Sequence, residues 1–400
     1  LGTANVEIKN GATVGMVIGG NSSGVTVGST NVTISDSTVK NNVVGGNSVI
    51  SGPVKSSYIA GGTVVNVENS TINGDIRGGN NTSNSDLFNG DFSSFKVSSV
   101  DINVTGNSTV GNGLESIRGA GGSYASVEGA VNIDLSGNSI FNGTILAGSS
   151  GNGTSVGSTN IKISDNVVVN GNVYGGGKNG GVVNGNTNVT LSGNASIKGT
   201  LNGGGVNGSV VEGTKTLNIG TSDEAYSNAS ALKVADFDKI NVQGNSVATV
   251  NGNMSNVVVR KENTKTETLT GALVNVDSTS TAKFEDSNFN SVSVYVENPV
   301  QNYAAIVEGG IVNVNNVSEF KNSNFKGNVI KSEAIVAVAG SNVKGGIINA
   351  SANSTIKIEG SAFEQNTINA KSNSSYATVY GGILNVNDGA TANLVTTKFI

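Results

Sequence analysis

The stretch that decides the fold is NVTISDSTVKNNVVGG at Asn31–Gly46. It contains two apolar residues one position apart, a polar turn, further apolar residues and a final pair of glycines. The same phrase returns four times along the first half of the chain, as VVNVENSTINGDIRGG at Val64–Gly79, VNIDLSGNSIFNGTILAG at Val131–Gly148, NIKISDNVVVNGNVYGG at Asn160–Gly176 and NVTLSGNASIKGTLNGG at Asn188–Gly204. A recurring phrase of this kind is typical of a solenoid, in which each copy is one coil that buries its apolar face by stacking on its neighbours.

Aligning the copies gives four files of apolar residues. The first two files lie two residues apart, which is the period of a β-strand. The turns between files are rich in Asn, Asp and Gly, which accept tight backbone conformations. The files are Val6, Val32, Val65, Ile102, Ile133, Ile161, Val189, Leu217 and Ile240; then Ile8, Ile34, Val67, Val104, Leu135, Ile163, Leu191 and Ile219; then Val14, Val39, Ile72, Val110, Ile140, Val168 and Ile197; and last Val17, Val43, Ile76, Ile117, Ile145, Val173 and Leu201. We therefore predict an all-β fold, a single-stranded parallel β-helix that is right-handed and carries inserted loops.

The second half has a different repeat. Phrases of the form GGI[VIL]N begin near Gly309, Gly345 and Gly381, with the related GALVNV at Gly271, and an aromatic element follows each of them. The phenylalanines that close these elements are Phe289, Phe325, Phe363 and Phe399, which are 36, 38 and 36 residues apart. We expect like residues to stack on one another from coil to coil here as well.

These paired GGI and FxxN phrases, with FKGN at Phe325–Asn328 and FEQN at Phe363–Asn366, resemble the repeats of polymorphic outer-membrane proteins. The passengers of that family belong to the autotransporter, or type V secreted, group. The Gly/Asn-rich first half is similar to repeats of large adhesin-like surface proteins. The resemblance implies a passenger on the bacterial cell surface, with a cleaved leader and a membrane translocator barrel encoded outside the sequence. We accordingly expect this chain to be a fragment or processed passenger that meets the membrane only through that barrel.

Composition narrows the classes of function. The chain has 400 residues with 57 glycines, 5% aromatic and 13% charged residues, which suits an extended scaffold. It contains neither Cys nor His, so thiol and imidazole catalysts and the metal sites built from them are excluded. The net charge of −5, with scattered basic residues, argues against a nucleic-acid partner. We expect no cofactor and no bound metal, although isolated calcium sites at loop carboxylates stay open.

Carboxylates alone could still support a β-helical glycan lyase or hydrolase. Hydrolysis needs two acids about 5 to 10 Å apart across a sugar. The aligned acids Asp36 and Asp165 occupy turn positions in distant coils, where neighbouring coils have other residues. We expect these two carboxylates to hydrogen-bond the turns, and we expect the protein not to be an enzyme.

The repeats also suggest a domain organisation. Residues 1–220 carry the Gly/Asn-rich repeats of about 28 residues, and residues 271–400 carry the GGI/FxxN repeats of 36–38 residues. Residues 221–270, which include the charged stretch VVVRKENTKTETLTG, are predicted to be a degenerate coil with a loop. We expect inserted loops at 80–98 and 291–307.

Two groups of residues are candidates for binding. The first lies in the expected loop at 80–98, where aromatic and acidic residues are unusually dense, although this loop could instead fold back and cap the solenoid wall. Its members are Asp86, Phe88, Asp91, Phe92 and Phe95. The second is a column directly after the fourth file, which we name the outer column and expect to face outward. It consists of Ile18, Val44, Arg77, Arg118, Leu146, Tyr174 and Asn202.

Arg77, Arg118 and Tyr174 are the binding candidates within the outer column. Such a mixture of apolar, basic and aromatic groups suits contact with a partner. The competing interpretation is that the loop after the glycines covers the column. The predicted function is non-catalytic adhesion to a host or bacterial cell-surface protein or glycan. A structural subunit of a surface layer or filament and a β-helical lyase or hydrolase are the alternatives, and homo-oligomerisation stays open.

Overall fold

The computed structural model describes residues 2–21, 28–49, 57–82, 95–262, 267–299, 303–334, 340–372 and 376–400. All regular elements in these ranges are β-strands, and the strand pairings given below are parallel. The chain forms two compact units, 1–216 and 217–400. The predicted parallel β-helix is confirmed, and each unit is described separately below.

In the first unit, each coil contributes strands to three walls. Wall A holds the longest strands and is formed by Thr3–Ile8, Ser29–Ser35, Thr63–Glu68, Val100–Thr105, Ser126–Leu135, Ser155–Ile163 and Thr187–Leu191. Short strands extend the same sheet, namely Ser57–Ile59, Phe95–Val97, Val182–Val183 and Val210–Val211.

Walls B and C consist mainly of strands of two or three residues. Wall B is formed by Thr13–Val14, Thr38–Val39, Thr71–Ile72, Thr109–Val110, Ile140–Phe141, Val168–Val169 and Ser196–Ile197. Wall C is formed by Val17–Ile18, Val43–Val44, Ile76–Arg77, Glu115–Arg118, Thr144–Leu146, Val173–Tyr174 and Thr200–Asn202.

The predicted apolar files are stacked in register. Val32 pairs with Val65, which pairs with Ile102, and all three side chains are completely buried. The second file continues in the same way from Ile34 to Val67. β-Branched side chains suit this position because they pack well on a pleated surface. The interior of the first unit is therefore a stack of like aliphatic groups.

The third file requires a correction. Phe141, not Ile140, pairs with Val110 and is completely buried, while Ile140 is 39% exposed. In the next coil Val169 likewise replaces Val168 in the file. The reason is turn length, because the turns here have one more residue than the turn at Asp36. A shift of one residue turns a strand side chain to the opposite face.

The paired glycines permit close approach between coils. A Cβ atom on Gly45 would lie 2.2 Å from the carbonyl oxygen of Gly78 in the next coil and 2.8 Å from a methyl group of Val65. Only a residue without a side chain fits at this position. On wall A, asparagine side chains of neighbouring coils also hydrogen-bond to each other, and Asn103 Nδ2 donates to Asn66 Oδ1 over 2.9 Å.

The second unit has two sheets that continue the coil pattern. The first contains Lys239–Val242, Val274–Val276, Val312–Val314, Ile348–Ala350 and Leu384–Val386. The second contains Leu232–Ala235, Val247–Asn253, Thr281–Glu285, Asn288–Asn290, Val317–Lys321, Asn324–Lys326, Thr355–Glu359, Ala362–Glu364, Thr391–Val395 and Lys398–Phe399. The strand Lys215–Ile219 contains the division between the two units.

Phenylalanines form a stacked file in the second unit, as predicted. The ring centroids of Phe289 and Phe325, and those of Phe325 and Phe363, are 4.6 Å apart with nearly parallel planes. The FxxN asparagine supports this file, since Asn366 Nδ2 donates to the Phe325 carbonyl over 2.9 Å and the completely buried Asn328 accepts from the Val292 amide over 2.8 Å.

Two additional sheets in the second unit were not predicted. The expected loop at 291–307 contains the strand Ser293–Asn298, which pairs with Val329–Ala334, and part of a further strand, Ala305–Glu308. The period-two pattern of SVSVYVEN indicates the first of these strands. The two sheets are formed by Val258–Glu262, Ser293–Asn298, Val329–Ala334 and Thr367–Ser372, and by Glu267–Thr270, Ala305–Glu308, Ser341–Lys344 and Ala377–Tyr380.

Residues 221–270 also contribute regular strands to the second unit. Ile240 pairs with Val274, and Val247 pairs with Thr281. The charged stretch expected to be a loop includes Val258–Glu262, which pairs with Ser293–Asn298. The units divide between residues 216 and 217, four residues before the expected end of the first repeat family.

We predict that Phe325→Ala lowers the stability of the second unit strongly. Phe325 is completely buried between two stacked rings, and removing such a side chain costs about 3–5 kcal/mol. Phe399→Ala is the matched control, because Phe399 belongs to the same file and is 48% exposed. Thermal unfolding followed by circular dichroism should show a much larger decrease for the first variant. Equal decreases would contradict the stacking argument.

We also predict that Glu333→Gln makes the free energy of unfolding fall less steeply as the pH is lowered. Hydrogen bonds from Lys331 and, over 2.8 Å, from Lys371 hold the pKa of Glu333 below its ordinary value of 4.5. A folded-state pKa below the unfolded one contributes stability above pH 4.5, and this contribution disappears as the pH falls through the folded value. Unfolding midpoints of both proteins should converge as the pH falls below 4.5 and through the lowered pKa of Glu333. The wild-type advantage near pH 6 should shrink in high salt, and an advantage that is independent of pH would refute this origin.

Candidate functional site

The outer column is assembled in the predicted order on wall C. Arg77 pairs with Arg118, Arg118 with Leu146, and Leu146 with Tyr174. Val44 precedes Arg77 in the same ladder. Residues that are far apart in sequence therefore lie side by side on neighbouring coils.

The column forms part of a cleft of about 480 Å³, which we name the wall-C cleft. Its lining comprises Asn42, Gly74, Asp75, Arg77, Asn112, Leu114, Glu115, Arg118, Thr144, Leu146, Asn172, Tyr174, Lys178 and Val206. The expectation that the whole column faces outward is wrong, because Val44 is completely buried and Leu146 is 2% exposed. Lys178 and Val206, which follow the glycine pairs, contribute to the lining. Both earlier interpretations therefore hold in part.

Asp75 links the two arginines of the cleft. Its carboxylate receives hydrogen bonds from Arg77 Nε, 3.0 Å from each oxygen, and Oδ2 lies 2.9 Å from Arg118 Nε. The Asp75 side chain is only 7% exposed. Two guanidinium groups on adjacent strands repel each other, and the buried carboxylate between them offsets that repulsion.

Glu115 forms a second bridge in the cleft. It lies three residues before Arg118 in the same strand and makes an ion pair with that guanidinium. It also pairs with Lys178, from the loop after the glycine pair two coils away. The side chains of Glu115, Arg118 and Lys178 are between 18% and 22% exposed. The charged groups are therefore held in place while one edge faces solvent.

Tyr174 lies beyond Leu146 on the ladder, at the end of the wall-C cleft opposite Arg77. Its ring is partly buried, and its hydroxyl oxygen accepts a hydrogen bond from Asn172 Nδ2 over 3.2 Å. Asn172 Oδ1 in turn accepts from the Thr200 amide over 2.8 Å. The aromatic ring is consequently positioned by the coil structure itself.

Sequence reasoning missed Asp75, Glu115 and Lys178. A signal for the first two exists, because DIR at Asp75–Arg77 and ESIR at Glu115–Arg118 occupy the same place in successive copies of the repeat. Alignment on the fourth file brings these acids next to the arginines. Nothing local in the sequence indicates that Lys178 reaches Glu115.

The binding candidates in the loop expected at 80–98 do not come together as a site within the residues that the structure describes. Asp86, Phe88, Asp91 and Phe92 lie outside the described residues. Phe95 is described and is completely buried in the strand Phe95–Val97, where it packs with Val49, Ala125 and Tyr124. Phe95 is therefore a core residue and not a ligand contact, because its ring is completely buried in this small apolar cluster.

Of the two turn acids, Asp165 makes the expected side-chain hydrogen bond to a turn amide, whereas Asp36 contacts the turn through its backbone carbonyl, which accepts from the Gly11 amide over 2.8 Å. Asp36 and Asp165 have positive φ angles of 47° and 55°, and Asp165 Oδ2 accepts a hydrogen bond from the Gly137 amide over 2.7 Å. Among the described residues, no group of three acidic side chains is arranged to hold a metal ion. In the same part of the chain, no helix has the length and apolar character needed to cross a membrane.

The chain was compared with models of protein families, with curated proteins and with solved structures. None of the three comparisons finds a match. The residues of the wall-C cleft, positioned by the solenoid scaffold, are therefore the feature that indicates a function for this chain.

Proposed function

We propose that this chain is the surface-exposed passenger of a bacterial adhesin. It would act outside the cell, at the bacterial surface, anchored at the outer membrane or released. Its partners would be proteins or glycans on host or other bacterial cells. The observation that carries this proposal is the wall-C cleft, in which Arg77, Arg118 and Tyr174 are fixed on one ladder of a rigid solenoid. Clefts with a few positioned polar groups and apolar walls are typical of binding sites.

The ion pairs support binding rather than catalysis. A glycan hydrolase needs one carboxyl group that donates a proton and a second that acts as base or nucleophile. Asp75 lies against two arginines, and Glu115 lies against Arg118 and Lys178. Each of these carboxylates is therefore already engaged by two cations of the protein. Both acids therefore suit the role of holding the basic groups in position.

The proposal predicts that the intact chain binds selected members of an array of host proteins and glycans. Reducing ends should not increase when the retained glycans are incubated with the protein. Binding should be saturable for a monomeric protein, which sedimentation velocity at several concentrations checks. Absence of any retained ligand would overturn the proposal. Release of reducing ends would favour a hydrolase or lyase, and concentration-dependent polymers without ligand binding would favour a structural subunit.

A further inference from the structure

We propose that the wall-C cleft binds a carboxylated saccharide, with its carboxylate on Arg118 and Arg77 and a sugar ring against Tyr174. This inference rests on the proposed function, since it names the ligand class of that same cleft. Four features support it: the charge of the cleft, its guanidinium groups, the neutral groups of its lining and the distance along the coils.

The cleft is basic in a chain that is acidic as a whole. Its lining contains three cations, Arg77, Arg118 and Lys178, and two carboxylates, Asp75 and Glu115, so its formal charge is +3 − 2 = +1. The chain as a whole carries a formal charge of −5. The cleft is thus a place where an anionic ligand is locally favoured.

Both arginines keep hydrogen-bonding capacity for a ligand. The internal carboxylates engage the Nε side of each guanidinium, and Arg77 Nη1 also donates to Asn81. Within the described residues, the buried Nε of Arg118 lies next to the Asp75 and Glu115 carboxylates but makes no hydrogen bond, and the hydrogen bonds of Arg77 involve Nε and Nη1 but not Nη2. Guanidinium N–H groups match the two oxygens of a carboxylate, and fixing them beforehand reduces the entropic cost of binding.

Neutral groups of the lining favour a saccharide over an acidic peptide. Asn42, Asn112 and Thr144 offer amide and hydroxyl groups that suit sugar hydroxyls. An extended peptide that bound by adding a strand would require free backbone groups on the protein. The backbone carbonyl groups of the cleft already accept hydrogen bonds from neighbouring coils. The Arg77 carbonyl accepts from the Gly45 amide over 2.7 Å, and the Arg118 carbonyl accepts from the Gly78 amide over 3.0 Å.

The aromatic and basic ends of the cleft are separated by a suitable distance for an oligosaccharide. Three ladder steps lead from Arg77 through Arg118 and Leu146 to Tyr174. At about 4.8 Å per step this is roughly 14 Å along the coils. The apolar Leu146 lies between the two ends, and the exposed Leu114 also contributes to the lining. A sugar ring packed on Tyr174 would use its apolar face there.

The test measures binding of the full chain to oligogalacturonate, hyaluronan oligosaccharides and sialyllactose by isothermal titration calorimetry. Carboxyl-reduced forms of the same saccharides test whether the carboxylate is needed for binding. Hexaglutamate tests whether an acidic peptide binds instead. We expect at least one carboxylated saccharide to bind, with an affinity that falls as salt increases, and we expect its reduced form to bind much more weakly.

The variants Arg118→Gln and Arg118→Lys should each lower the affinity by about ten- to a hundredfold, which corresponds to losing charged hydrogen bonds. Arg118→Lys keeps the charge needed by Asp75 and Glu115, so its fold is preserved if Arg118→Gln fails to fold. Tyr174→Leu should weaken binding of the same saccharide. Lys162→Gln is the matched control and should leave affinity unchanged, because Lys162 is a 52% exposed cation on wall A of the same unit.

Three results would overturn the inference. These are no binding of any carboxylated saccharide, equal binding of the reduced forms, and unchanged affinity in correctly folded Arg118 variants. Stronger binding of hexaglutamate would replace the saccharide with an acidic peptide. The adhesin proposal is overturned by a different result, in which the wild-type chain binds no protein or glycan of the array. Ligands that are retained equally by wild type and Arg118→Lys would leave adhesion intact and refute this site.

Discussion

Register between neighbouring coils is the constraint on which the structure depends. Each coil satisfies its backbone by bonding to the coils on either side, as the Gly45 amide does with the Arg77 carbonyl over 2.7 Å. Buried backbone groups need such partners, so a coil cannot slide without losing a row of hydrogen bonds. Within each unit, the paired strand residues of one repeat are therefore stacked on the equivalent residues of the next, as Val32 is on Val65.

Stacking like residues selects which residue types the repeats contain. Aliphatic groups and phenyl rings pack on copies of themselves, as Phe325 does with Phe289 and Phe363. Asparagine also stacks well because its side chain is both donor and acceptor, which the contact from Asn349 to Asn313 over 2.9 Å shows. Like charges stack poorly, so lysines and glutamates alternate between coils, as Lys357 and Glu319 do at 3.1 Å.

The wall-C cleft is one place where this rule is broken, as it also is where Glu297 pairs with Glu333 in the second unit. Arg77 and Arg118 occupy adjacent steps of one ladder, and their repulsion is offset by Asp75 and Glu115. The arrangement holds two guanidinium groups rigidly next to each other. Local departures from a consistent pattern are often functional, because a less favourable contact is retained for what it binds. The same departure supports both the adhesin proposal and the ligand class inferred for it.

The repeating pattern along the chain was sufficient to predict the coil architecture, since period-two files and stacked phenylalanines follow from it. It also determined the order of the outer column, because one register places all of its members. Tertiary structure alone decided the burial of Phe95, whose strand joins wall A only when the coils have assembled. It alone decided the contact of Lys178 with Glu115 as well, because a loop two coils away reaches that acid only after stacking. Turn length explains the error at Ile140, where one additional residue exchanged the inner and outer faces of a strand. Local pattern thus fixes what repeats, whereas departures from the repeat depend on contacts that exist only between coils.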